Sequence, residues 1–140
     1  MILQLLREFP PGFGGIERVA HCLGSELGGT TYSLRRRFKC DDPLLASYQR
    51  RWLTSFALGR IFIPLPSLAI WDLLVSSKPL IAHLPCPTIF TLALLARLLR
   101  PSRSISFYCH SILAPRKGIL GFLEFIYQCL SIRMIRFFPV

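Results

Sequence analysis

The sequence predicts an α/β fold, a parallel sheet flanked by helices, and three observations predict it. Short apolar runs alternate with segments of helical periodicity along the chain. The first such pair is Ile2 to Leu6, then Ile16, Val19, Ala20, Leu23 and Leu27 three or four residues apart, joined by the glycine-rich turn Pro10-Pro11-Gly12-Phe13-Gly14-Gly15. The helical segments run about 10–15 residues, the length that carries a crossover between parallel strands. The 140 residues form one domain, 1–140, large enough for a real core.

Each element has its own justification. The first helix should stop near Gly28-Gly29, a C-cap signal, and Thr30 to Leu34 is β-rich enough for a second strand. Arg35 to Asp42 reads as a loop, basic and then acidic. Pro43 to Leu58 is ambiguous, and Arg60 to Pro64 reads as a short strand. Ser67 to Ser76 is helical, Leu80 to Leu84 a buried strand, and Pro87 to Leu99 a helix with Ile89, Leu92, Ala93, Ala96 and Leu99 on one stripe. Ser104 to Cys109 is another strand, ending at His110-Ser111. Gly118 to Ile132 is a very apolar helix, and Met134 to Val140 reads as a strand only begun, so the chain looks cut short.

Composition narrows the partners. Hydrophobic residues make up 52% of the chain, and 17 Lys and Arg against 7 Asp and Glu give a net charge of +10. That balance suits anionic partners: nucleic acid, an acidic membrane surface or phosphorylated substrates. Arg35-Arg36-Arg37-Lys39 is the one dense basic cluster, and no RNA-binding signature, zinc finger or heptad basic region is present. Sequence-specific nucleic-acid binding is therefore not expected. Cys22, Cys40, Cys86, Cys109 and Cys129 are odd in number and lack CxxC pairing, and Arg7 and Glu8 break the apolar start too early for a signal peptide. Free thiols in a reducing cytosol are expected, most of them buried as small hydrophobes. The uncharged stretch Pro79 to Ala96 is eighteen residues long, but Pro79, Pro85, Pro87 and His83 make it a strand, a turn and a helix rather than a membrane span.

Three motifs occur in order: Pro11-Gly12-Phe13-Gly14-Gly15-Ile16-Glu17, Leu80-Ile81-Ala82-His83-Leu84-Pro85-Cys86-Pro87, and Tyr108-Cys109-His110-Ser111. With them the chain resembles the N-terminal domain of family-4 glycosyltransferases of the GT-B type. The first matches the family's Pro-x-x-Gly-Gly-Ile/Val-Glu turn. His83, Pro85 and Pro87 match the second half of Asp-x-x-His-x-His-x-Pro-x-Pro, with Lys78 and Ile81 replacing its Asp and first His. The third fits the family's aromatic-x-His-Ser/Thr step, and Tyr127 has a counterpart in the following helix. The resemblance spans nearly the whole chain. It implies one Rossmann-like, incomplete GT-B half: the acceptor-binding half of a retaining glycosyltransferase that takes a sugar from a nucleotide sugar, lacking the donor-binding domain and hence inactive alone.

On that resemblance His110 takes the place of the active-site histidine, where imidazole can donate to a sugar hydroxyl or handle a proton near neutral pH. Gly14 and Gly15 would form the floor of the inter-domain cleft, with Ser111 beside His110 and His83 in the acceptor cleft. Neither a cofactor nor a metal is implied; the partners are the nucleotide sugar, a sugar or lipid-linked acceptor, and the missing domain. Glu17 has a sufficient role at the positive end of the first helix, Arg18 is expected to be solvated, and His21 is structural or exposed. The Gly118 to Ile132 helix, with Arg116 and Lys117 before it and Arg133 and Arg136 after it, either packs under a missing domain or docks on an anionic membrane surface. The expected location is the cytoplasm, with peripheral attachment to the membrane as the alternative. The competing readings are a catalytically silent membrane- or partner-binding module and a gene fragment without function.

Overall fold

The computed structural model describes residues 1–9, 14–35, 47–58, 61–110 and 118–135. In chain order the elements are β1 (Ile2–Glu8), α1 (Gly15–Leu27), β2 (Gly29–Arg35), β3 (Gln49–Trp52), β4 (Ser55–Leu58), β5 (Ile61–Pro64), α2 (Leu68–Val75), β6 (Leu80–Leu84), α3 (Pro87–Leu99), β7 (Ile105–Cys109) and α4 (Ile119–Ile135). Five strands form one parallel sheet in the order β3-β2-β1-β6-β7, flanked by helices in a Rossmann-like arrangement. The chain starts at the centre, builds outward through β2 and β3, and then returns across β1 to add β6 and β7. The reversal between β1 and β6 is a topological switch point, where open α/β sheets leave a crevice at the carboxyl ends of their strands.

Local chemistry sets the element ends. Gly28 stops α1 with a positive φ of 63°, its N–H donating to the Gly24 carbonyl at 2.9 Å. Gly29 has φ 119°, and a Cβ there would strike the carbonyl of Ile2, so the start of β2 lies too close to β1 for any side chain. Ser67 caps α2 by accepting from the Ile70 N–H at 3.3 Å, and Pro87 opens α3 where a missing N–H does no harm.

Because side chains alternate along a strand, the pairing register sorts them onto two faces. Leu3, Leu5, Tyr32, Leu34, Leu80, Ala82, Leu84 and Ile105 share one face and form the apolar core with Leu73 of α2 and with Ile89, Phe90, Leu92, Ala93 and Ala96 of α3. Tyr127 and Ile135 bring α4 onto the same side. The other face carries Gln4, Thr31, Ser33 and His83, and α1 lies over it.

A buried arginine ties two crossovers together. Arg103, only 2% exposed, donates from Nε to the Lys78 carbonyl at 2.8 Å and from Nη1 to the Leu73 carbonyl at 2.6 Å. Arg100 donates to the Val75 carbonyl at 3.0 Å, and Arg97 to the carbonyl of Arg103 at 2.5 Å. The last carbonyls of α2, which a helix leaves unsatisfied, are thus served from the α3–β7 connection.

The structure corrects several expectations. The ambiguous Pro43 to Leu58 segment holds a sheet strand, β3, and also β4, while the short strand expected at Arg60 to Pro64 is present as β5, paired antiparallel with β4 outside the main sheet. Only two residues separate β4 from β5, a connection that joins antiparallel neighbours and is far too short for a parallel crossover. Phe62 is buried and the Phe62 carbonyl accepts from Thr88 at 2.6 Å, which pins this hairpin to the start of α3. Met134 and Ile135 are the last residues of α4 rather than a strand; 136–140 lie outside the described residues. Leu99 is exposed, and Phe90 takes its place in the buried stripe of α3. Of the four described cysteines only Cys86 is buried, while Cys22, Cys109 and Cys129 are exposed; Cys40 lies outside the described residues.

Candidate functional site

Gln4 sits in β1 among Leu3, Leu5 and Leu6, all apolar and buried. A buried amide must find partners, and it finds two. Its Nε2 donates to the Ala20 carbonyl of α1 at 3.0 Å, and its Oε1 lies 3.0 Å from His83 Nε2. His83, near the carboxyl end of β6, is 2% exposed, and its Nδ1 lies 2.9 Å from His110 Nε2. His110 follows β7 directly and extends the ladder by one bond, its N–H donating to the Leu84 carbonyl at 3.2 Å.

These bonds fix the tautomers. The Ala20 carbonyl can only accept, so the Gln4 amide nitrogen faces it and the amide oxygen faces His83. His83 therefore carries its hydrogen on Nε2 and presents a bare Nδ1. That lone pair requires Nε2–H on His110, which leaves Nδ1 as the basic atom of neutral His110. Burial, and then the neighbouring His110, push the pKa of His83 down to about 4. Burial lowers that of His110 too, and the Glu17 carboxylate works in the opposite direction. The outer imidazole is thus the one that takes up a proton first, while the inner one stays a neutral acceptor.

Tyr108 completes an aromatic group, with its ring centroid 4.6 Å from that of His110 and 5.9 Å from that of His83. The two imidazole planes lie 20° from parallel, stacked with centroids 5.2 Å apart. On the other side stands the start of α1. Gly14 is its N-cap and offers no side-chain cap; the Glu17 side chain folds back against Gly14 and its charge reaches His110.

The site residues expected from the sequence divide accordingly. His83 and His110 are brought into direct contact, and Gly14 and Gly15 open α1 at the same carboxyl edge. Ser111 lies outside the described residues. Arg18 is exposed, and His21 is engaged away from the site, its Nδ1 2.9 Å from the Tyr48 hydroxyl. Sequence reasoning missed Gln4 and gave no role to Tyr108; the signal for Gln4 was a lone amide inside the apolar run Ile2 to Leu6. Among the described residues no group of three or more His, Cys, Asp and Glu side chains is placed to hold a metal ion. A cavity of about 340 Å³ lies elsewhere, between the first residues of β1 to β3 and the end of α2, and is spanned by the Arg51–Asp72 ion pair at 2.8 Å.

The arrangement can orient an imidazole, present it at a cleft and hold one proton there. The chain matches no protein-family model, no curated protein and no solved structure.

Proposed function

We propose that this chain is the acceptor-binding half of a retaining glycosyltransferase, acting on the cytoplasmic side of the cell with a nucleotide-sugar donor held by a second domain. The observation that carries the reading is the His83–His110 hydrogen bond at the switch-point edge of a parallel sheet, beside the glycine turn that opens α1. Sugar transfer needs hydroxyl groups held in one orientation and a proton managed near neutral pH, and a tautomer-fixed imidazole supplies both. His110 would bind a sugar hydroxyl and His83 would set its direction. Glu17 already lies at the positive end of α1, which favours a neutral, hydroxyl-bearing ligand at Gly14-Gly15 over a second anion. That supports an acceptor rather than a diphosphate at this turn.

The test is imidazole NMR on the full chain, titrated with sugar acceptors and with nucleotide sugars. A saturable shift of the His110 ring on addition of an acceptor sugar is expected, and it should vanish in His110→Ala. The chain alone should turn over no nucleotide sugar, since one half cannot enclose both substrates. Robust turnover by the purified chain, or a His110 ring indifferent to every sugar tried, would overturn the proposal.

A further inference from the structure

Helices α2, α3 and α4 all pack on one face of the sheet, and each is apolar on its outward side as well. Leu68 and Trp71 of α2, Leu98 of α3, and Phe122, Phe125 and Leu130 of α4 are all exposed, Leu98 to 75%, Phe122 to 63% and Trp71 to 59%. An exposed layer of this kind marks a surface that meets something apolar. The other flank differs: α1 has Arg18, Ser25 and Glu26 exposed and a single exposed large apolar residue, Leu27.

Charge says what the layer meets. Residues 1–42 carry six basic and five acidic side chains, whereas residues 43–140 carry eleven basic and two acidic. One of those two acids, Asp72, is paired with Arg51. Lys78, Arg100 and Arg133, all exposed, stand just after α2, just after α3 and in the last turn of α4. The excess positive charge therefore lies in the same part of the chain as the exposed apolar side chains, and long cationic side chains can reach phosphates while the apolar side chains sit below them. A protein partner of ordinary composition would need an unusually acidic and apolar surface to match this; an anionic bilayer presents both everywhere.

We propose that the outer side of the α2–α3–α4 layer is a docking surface for an anionic lipid bilayer, lying in the interface rather than crossing it. No helix among the described residues is long and apolar enough to cross a membrane. The apolar side chains enter the headgroup boundary, Trp71 sits at its level, and the basic residues bind lipid phosphates. This inference is independent of the transferase reading, since it uses the opposite face of the sheet from His110.

The experiment is flotation of the full chain with phosphatidylglycerol vesicles and with phosphatidylcholine vesicles, at low and high salt. The chain should float with phosphatidylglycerol, less so in high salt and least with phosphatidylcholine. The exposed double variant Phe122→Glu/Phe125→Glu should weaken partitioning by about tenfold or more, because each buried aromatic side chain contributes that much or more. A Trp52→Phe chain reports through Trp71 alone, which should shift to the blue and be quenched by brominated phosphatidylglycerol, a reading that needs no folded charge variant. Absence of flotation at low salt would overturn the proposal, as would full binding by the double variant or a Trp71 untouched by brominated lipid. So would a dimer in sedimentation that hides the layer and abolishes flotation.

Discussion

The two faces of the sheet solve opposite problems. Under α1, β1 and β6 bury an amide and an imidazole that are hydrogen-bonded to each other, and stability there depends on that pairing. Under α2, α3 and α4 the strands bury mostly apolar side chains, and carbonyls at the end of α2 are met by Arg100 and Arg103. The first face is specific, easily damaged by the loss of one atom and able to do chemistry. The second is robust and chemically inert, and its excess of apolar residues spills onto the outer surface. On the two proposals above, the imidazole pair and the apolar contact surface lie on opposite sides of the sheet.

Four measurements would break or sharpen that contrast. The largest effect belongs to the apolar face: Ile89→Ala should cost about 2–5 kcal/mol in urea denaturation, the range for emptying a core site. Next comes pH. His83 is neutral in the fold with its pKa near 4 against an ordinary 6.5, so the folded state binds fewer protons than the unfolded chain. Stability is then full above about pH 6.5, falls progressively as pH drops towards 4, and should lose about 3 kcal/mol across that window. His83→Phe should flatten the curve, whereas Ile89→Ala should lower it without changing its shape. Third, Gln4→Leu keeps the volume but strands the His83 N–H and should cost about 1–3 kcal/mol, a larger penalty than its size change warrants. The smallest is Ser67→Ala, which removes the cap of α2 and should cost about 1 kcal/mol or less. If Gln4→Leu proved neutral, the polar face would be no more demanding than the apolar one and the contrast would fall.

The sequence made legible those elements whose signal is local and long enough. β1, α1, β6, α3 and β7 each combine a clear period with a punctuating Gly or Pro, and their expected positions agree with the structure to within two residues. β3 and β4 are four residues each, too short to show an alternation, so their segment could not be resolved. Met134-Ile135 is an apolar pair that a helix or a strand accommodates equally, and α4 claimed it. At the site, His83 and His110 could be found because each stands at a strand end. Their contact could not, because it depends on β6 and β7 being neighbours in register, a long-range fact. Cys22, Cys109 and Cys129 were misjudged because a thiol's burial is set by which way its strand or helix turns, not by its own preference.

The arginine that serves the end of α2 also has a kinetic meaning. Arg103 holds the Leu73 and Lys78 carbonyls from a position between α3 and β7, so α2 and the start of β6 cannot open without freeing a buried guanidinium. Fraying of one crossover is thereby coupled to the other. Backbone amides of residues 70–84 and 105–109 should exchange with deuterated solvent as a single cooperative unit, with one shared opening free energy. In Arg103→Lys, whose single ammonium lacks the planar fork needed to span both carbonyls in this geometry, the two stretches should separate, with 70–76 exchanging first.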